Sequence, residues 1–288
     1  MDKTTSVLAK EADGNIQITF TIPYELIKKA QEDTVAEMAK DIEIPGFRKG
    51  NAPLAKVRER ISEGTLVEHS LSHILPKALA EAINENKLKI AIYPKFELIS
   101  AKENEAWQVR GITCELPDIS LGDYKAAVTG SMAASKIIVP GKEIKQPSKE
   151  EKEQAVISAL LTNVKVTIPK ILVDEEVSSR LSNLLGRLEK LGLALESYLT
   201  SISKSVDQLR AEYEIQSRGA IALDLILSKI ADQEGLKASE TEVASALNMS
   251  TSTTNKKVEN SEDLESRKRL IESILKRRQA LDYLISLA

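Results

Sequence analysis

Apolar residues recur at two different periods along this chain, and the change from one to the other limits the fold more than any other feature. Ile16, Ile18, Phe20 and Ile22 alternate with Gln17, Thr19 and Thr21, the pattern of a strand with one buried face. Val177, Leu181, Leu184, Leu188 and Leu191 instead repeat at four and three, which requires an apolar groove on a partner helix. One layer cannot serve both. The 288 residues therefore divide into an α+β part and an all-α part, each long enough for its own core.

In the first part, Asp13-Gly14 favours a hairpin turn, so Thr4 to Lys10 should pair with the strand that follows. Pro23 opens a helix to about Lys40, with Ile27, Ala30, Thr34 and Met38 on its inner face. A short helix runs from Pro53 to about Ile61. Gly64 breaks it, and a second helical pattern spans Thr65 to Asn84, with Pro76 set to kink or divide it. Ile90, Ile92, Phe96 and Leu98 share a strand face, and Pro94 among them calls for an edge position or a bulge. Trp107 and Val109 continue the alternation, but the apolar phase then moves to Ile112, Cys114 and Leu116, which a bulge at Gly111 would explain. Residues 1–125 thus read as an antiparallel sheet of about four strands plus helices.

Gly130 to Gln146 is small and irregular, and 126–147 reads as a connector. Residues 148–288 read as an all-helical domain with its own helix starts and core. Ser148 with Glu151 and Ser239 with Glu242 form capping boxes. Val206, Leu209, Tyr213, Ala220, Leu223, Leu227 and Ile230 make a second stripe, expected to face the first. Leu270, Ile271, Ile274, Leu281, Leu284 and Ile285 supply the apolar face of the last helix.

Between the first two helical patterns lies Ile44-Pro45-Gly46-Phe47-Arg48-Lys49-Gly50-Asn51-Ala52-Pro53. Pro45 presets φ for a tight turn, Gly46 can follow with positive φ, and Pro53 suits the start of a helix. Phe47, Arg48 and Lys49 are left at the apex. An exposed aromatic beside arginine is the make-up of an interface hot spot, and Arg48, Lys49, Lys56, Arg58 and Arg60 against Glu59 alone suit a partner bearing phosphates. The alternative is a helix connection with Phe47 folded inward and solvated cations.

A net charge of −3 and a pI near 5.7 exclude a generally basic nucleic-acid-coating protein, so RNA contact must be local. Aromatic residues are only 3% of the chain, which argues against stacking platforms and aromatic pockets. The single cysteine, Cys114, reads as a small buried residue in a reducing compartment. His69 and His73 have the spacing of a metal clamp, but no third ligand completes a set, and no metal or other cofactor is expected. Neither a signal-peptide core nor a run of 18 apolar residues is found, so a cytoplasmic chain without membrane association is expected. No phosphate-cradling loop and no nucleophile with a base stands out.

Gly46, Phe47, Arg48, Lys49, Gly50 and Pro53, following an amphipathic helix, match G-F-R-K-G-x-x-P, the docking signature of trigger factor, the bacterial chaperone that meets nascent chains at the ribosome. The chain resembles that family over residues 1 to about 125 and about 150 to 248, including Ile168-Pro169 and Gly192 to Leu199. Similarity is weak beyond Met249. The resemblance implies that Phe47, Arg48 and Lys49 contact a large-subunit protein and RNA beside the exit tunnel. Pro45, Gly46, Gly50 and Pro53 would shape the loop, and Lys56, Arg58 and Arg60 would add RNA contacts. It also implies an open helical cradle for nascent or unfolded polypeptides, and the lack of a phosphate-cradling loop means that such a chaperone would work without ATP. Family members usually carry a peptidyl-prolyl isomerase domain of the FK506-binding type where 126–147 lies, and so short a connector cannot hold one. An enzyme is therefore not expected. Retained isomerase activity, a helical dimerisation or scaffold module, and a homodimer away from the ribosome stay open at this point.

Overall fold

Gly14, at φ +92°, reverses the chain at Asp13-Gly14, and β1 (Thr5–Lys10) pairs antiparallel with β2 (Asn15–Ile22) as expected. The computed structural model describes residues 3–102, 104–135, 148–254 and 261–287. They divide into two units, Met1–Leu116 with Pro169–Leu172, and Pro117–Ile168 with Val173–Ala288.

In the first unit β2 also pairs with β4 (Trp107–Cys114), and β3 (Lys95–Ser100) completes a four-stranded antiparallel sheet of order β1-β2-β4-β3. Ile16, Ile18, Phe20 and Ile22 are buried in one core with Ile27 of α1 (Tyr24–Met38) and Leu75, Ala78, Leu79 and Ala82 of α3 (Glu63–Asn86). The short α2 (Leu54–Arg60) lies between those helices in sequence.

Local expectations fail in three places. The expected bulge at Gly111 is absent: β4 keeps unbroken register with β2 from Trp107↔Ile22 to Cys114↔Asn15. Gly111 simply continues the inward face without a side chain, because Phe96 and Phe20 fill the space above it; a Cβ there would meet Phe96 Cε1 at 3.1 Å. The irregularity lies instead in β3, between Leu98 and Ser100. Pro94 precedes that edge strand, and Ile90 and Ile92 lie ahead of it, Ile90 forming a single bridge to Glu115 and the Ile92 carbonyl accepting Thr113 Oγ1–H at 2.7 Å. Gly64 does not break a helix. The break is at Ser62, whose Oγ accepts the Thr65 N–H at 3.2 Å and caps α3, and α3 then runs undivided through Pro76 with Leu75 and Leu79 buried on either side.

The second unit contains α4 (Tyr124–Ser135), α5 (Lys149–Asn163), α6 (Lys170–Lys190), α7 (Leu195–Ser201), α8 (Val206–Gln233), α9 (Glu240–Thr254) and α10 (Ser261–Ser286). The first turn of α6, with Pro169, clusters with the first unit. Both expected capping boxes form: the Glu151 N–H reaches Ser148 Oγ and the Glu242 N–H reaches Ser239 Oγ, each at 3.2 Å, and each glutamate accepts the serine N–H in return. Ser205 and Gln208 add a third box that starts α8.

The expected boundaries shift here. Tyr124–Ser135 is helical where an irregular connector was expected from 126, because Val128 on its inner face is fully buried. Ile119, Leu121, Tyr124 and Val128 share a core with Val156 and Leu160 of α5, Ile226, Leu227 and Ile230 of α8, and Ala280 and Leu284 of α10. The helical core is therefore not contained in 148–288; it begins at Pro117. Residues 136–147 of the expected connector lie outside the described residues. The two long stripes also divide: Leu227 and Ile230 serve this core, whereas Leu188, Leu199 and Leu209 are buried along α6–α8 and Leu191 is 71% exposed. On α10 the core takes Ala280 and Leu284, while Leu270 and Ile274 face solvent.

Candidate functional site

A small apolar cluster in the first unit builds the 44–53 segment. Val35 and Ala39 at the end of α1, Ile44, Val57 of α2 and Leu66 of α3 are buried together, with Ile42, Ala52 and Ile61 packed against them. Ile42 and Ile44 pin the entry of the loop, and Ala52 and Val57 pin its exit. Everything from Pro45 to Asn51 is exposed.

Between those anchors the backbone makes two successive tight turns. The Phe47 N–H donates to the Ile44 carbonyl at 3.0 Å, with Pro45 second and Gly46 third at φ +89°. The Asn51 N–H then donates to the Arg48 carbonyl at 2.9 Å, with Gly50 third at φ +85°. A positive φ at the third position is the type II geometry that favours glycine, so Gly46 and Gly50 carry matching roles. Only the first turn was legible beforehand. Pro53 caps α2 from one residue outside it, its carbonyl accepting the Lys56 and Val57 N–H groups at 2.9 and 3.2 Å.

These turns leave Phe47 46% exposed, so the inward-folded alternative is not what the chain adopts. Lys49 Nζ lies 3.6 Å from Asp41 Oδ1, and Lys56 Nζ 2.9 Å from Glu59 Oε2, both pairs open to solvent and worth little. Arg48, Arg58 and Arg60 have no ion pair among the described residues. Phe47, Arg48 and Lys49 are brought together on one apex. The α2 cations are not one patch: Lys56 and Arg60 lie one turn apart, while Arg58 is about 200° round the helix from Lys56. Leu54, 50% exposed in the first turn of α2, is an apolar neighbour in sequence that the sequence reading passed over.

The apex can present an aromatic face and a free guanidinium to an apolar pocket flanked by phosphates. His73, weighed as half of a metal clamp, sits 3.1 Å from Glu37 instead.

Within the second unit, Leu185, Leu191, Leu193, Val206 and Ile215 are exposed. A groove of about 620 Å³ runs between 161–168 and the 211–222 stretch of α8, lined by Leu161, Val164, Val166, Ile168 and Ile215 among others. On the bundle side Glu234, at the end of α8, accepts hydrogen bonds from Tyr124 at 2.6 Å and Tyr283 at 2.9 Å and pairs with Lys125 at 2.8 Å. Lys125 and the two tyrosines hold the Glu234 carboxyl down at about 2. Burial and the bond to Glu234 push the Tyr124 hydroxyl up to about 12. Among the described residues no helix is long and apolar enough to cross a membrane.

Residues 5–147 match the family model described as bacterial trigger factor protein, and residues 141–286 match the model of its C-terminus. The chain belongs to the trigger factor family. The two matches overlap at 141–147, which leaves no stretch between them for a further domain. Curated trigger factors from Streptococcus agalactiae serotype Ia and Streptococcus pyogenes serotype M4 are 35% identical over 108 residues and 32% identical over 136. Those alignments cover 38% and 47% of this chain but only 25% and 30% of the relatives, so the match spans less than a third of their length. A solved structure from work titled "Promiscuous Substrate Recognition in Folding and Assembly Activities of the Trigger Factor Chaperone" superposes with a TM-score of 0.60 over 98% of this chain and 99% of that one, at 12% identity. It shares the fold: an α+β region with a four-stranded antiparallel sheet, then helices.

Proposed function

We propose that this chain is a cytoplasmic, ATP-independent chaperone that docks on the large ribosomal subunit beside the exit tunnel through Phe47, Arg48 and Lys49. It shields nascent polypeptides with exposed apolar surface on its helices. The observation that carries the reading is the apex itself: two type II turns, pinned at both feet by a buried cluster, hold an exposed aromatic and an arginine without an ion pair among the described residues away from any core. Such a tip contributes little to stability, so its composition is accounted for by a partner. Ile215 and the exposed leucines of α6–α8 offer scattered apolar contacts of the kind that accept many sequences. Burial of client side chains, at roughly 25 cal/mol per Å², is the driving force, and release follows when the client buries them in its own core. The chain acts by binding and not as an isomerase.

Ribosome cosedimentation of the intact chain beside a variant with Phe47, Arg48 and Lys49 all changed to alanine tests this. Binding should be lost while the unfolding midpoint stays within experimental error, and wild-type binding should weaken with salt. A folded variant that still cosediments overturns the reading.

A further inference from the structure

In the order β1-β2-β4-β3, β3 is an edge strand, and its second side is unpaired among the described residues from Phe96 to Ser100. From Phe96 to Leu98, ahead of the irregularity between Leu98 and Ser100, alternate N–H and C=O groups point away from β4, which is the template for another strand. Beside this edge lies a groove of about 590 Å³ within the first unit, lined by Val67, Leu71 and Leu75 of α3 and by Tyr93, Phe96 and Leu98. Tyr93 is 63% exposed and Leu98 46%, two large side chains of the groove lining that the docking apex does not use. Phe96 and Tyr93 stand edge to face with centroids 5.8 Å apart, so the groove has a built wall on the strand side.

From these features we infer that the β3 edge and the α3–β3 groove form a second polypeptide-binding site, which takes an extended apolar segment as an added antiparallel strand. An unpaired strand edge selects an extended backbone over a helix, because only an extended chain can satisfy its exposed donors and acceptors in register. A groove beside the strand then receives every second side chain. Charge narrows the occupant further. Glu68 is the one charged residue lining the groove, exposed and without an ion pair among the described residues, so the fitting segment is otherwise uncharged and carries one cation. The inference relies on the chaperone reading for the source of the segment, an unfolded client, and not for the capacity of the edge to accept a strand.

The probe is a fluorescent eight-residue peptide of alternating leucine and threonine with one terminal lysine, titrated against the intact chain by polarisation. Wild type should bind it at least fivefold tighter than the same peptide N-methylated at alternate residues, which keeps the side chains but cannot donate to the edge. Leu98→Asp, a half-exposed position, should weaken binding at least fivefold, and Tyr93→Ala provides a second variant that leaves the core untouched. Glu68→Gln should abolish the preference for a lysine-ended over a glutamate-ended peptide. Ile215→Asp, in the groove of the second unit, should leave binding unchanged. Equal affinity for the N-methylated peptide, or no loss in both Leu98→Asp and Tyr93→Ala, overturns the inference. Client aggregation is followed in parallel. Holding that is indifferent to both variants, with no peptide binding at the edge, sinks the site and spares the chaperone reading, while peptide binding without any holding does the reverse.

Discussion

Cutting the chain at residue 148 should destroy the helical unit, and cutting it at 117 should not. Truncation to 148–288 removes Ile119, Leu121, Tyr124 and Val128, which are 9%, 7%, 3% and 0% exposed in the core shared by α5, α8 and α10. Side chains of this size each contribute about 1.5–3 kcal/mol when buried, so the four together supply roughly 6–12 kcal/mol. A more compact unfolded chain lowers that to about 4–10 kcal/mol. The stability of a whole domain is about 5–15 kcal/mol, so the loss is of the same size as the total. The Tyr124 and Lys125 contacts to Glu234 go with it. Fragments 117–288 and 148–288 are to be compared by far-ultraviolet circular dichroism through a urea titration. The longer one should unfold cooperatively; the shorter should show a shallow, non-cooperative loss of helix. A cooperative transition in 148–288 with the same midpoint refutes the reasoning, because α4 would then be decoration on a complete core.

Gly111→Ala places a methyl 3.1 Å from Phe96 and 3.4 Å from Phe20 between two aromatic rings, and should cost about 1–3 kcal/mol in urea unfolding; a neutral result would mean that the rings give way freely. Glu234, held at about 2 against a usual 4.5 by Lys125, Tyr124 and Tyr283, favours the folded state while ionised, so its contribution is present above about pH 4.5 and lost as the pH falls toward 2. The stability gap between wild type and Glu234→Gln should therefore shrink across that window, and a constant gap would exclude the cluster as its source. Tyr124, pushed up to about 12, should still be un-ionised in folded protein at about pH 11, so that Tyr124→Phe removes absorbance from the high-pH titration only near 12, with its stabilisation lost as the pH rises through about 12. The chain should not accelerate isomerisation of short proline peptides, which offer a holding surface nothing to grip; catalysis there would contradict the proposed binding role.

The sheet was legible because burial on one face imposes alternation, and the register of β1 and β2 followed from a turn with one good solution at Asp13-Gly14. Gly111 misled because an inward glycine removes a side chain from the pattern without moving the strand, and only the rings of Phe96 and Phe20 reveal that the phase persists. Capping boxes fixed the helix starts, being local chemistry within four residues. Helix partners were not local. Leu188 and Leu227 look alike in a stripe, yet one lies in α6 and the other serves the bundle with α5 and α10, a difference set by residues far away in sequence. Small residues in 126–135 read as irregular because alanine, glycine and serine carry little periodicity, and the burial of Val128 against α5 and α8 outweighs that. At the docking apex the turn chemistry of Pro45-Gly46 was readable, whereas the second turn at Gly50 and the splayed α2 cations needed coordinates.

The proposed client contact and the proposed docking tip depend on each other energetically. Leu185, Leu191, Leu193, Val206 and Ile215 are each exposed, and a client segment that covers two of them at a time gains little. At about 1.5–3 kcal/mol for each fully buried side chain, and less for partial burial, that yields roughly 3–6 kcal/mol before any cost of ordering the segment. Association from free solution costs about 4–15 kcal/mol, which consumes most or all of it, and a dissociation constant of about 1 mM corresponds to only about 4 kcal/mol. Such surfaces hold nothing usefully at cellular concentrations unless the client is delivered to them. The proposed docking at the tunnel exit would do this, since a short tether sets an effective concentration on the order of mM. On the same reading release would need no energy source, because a client that buries its apolar residues in its own core gains more than these exposed side chains offer. On the proposed reading, stronger client contacts would trap clients without an energy source to free them, and a weaker tip would leave those contacts empty.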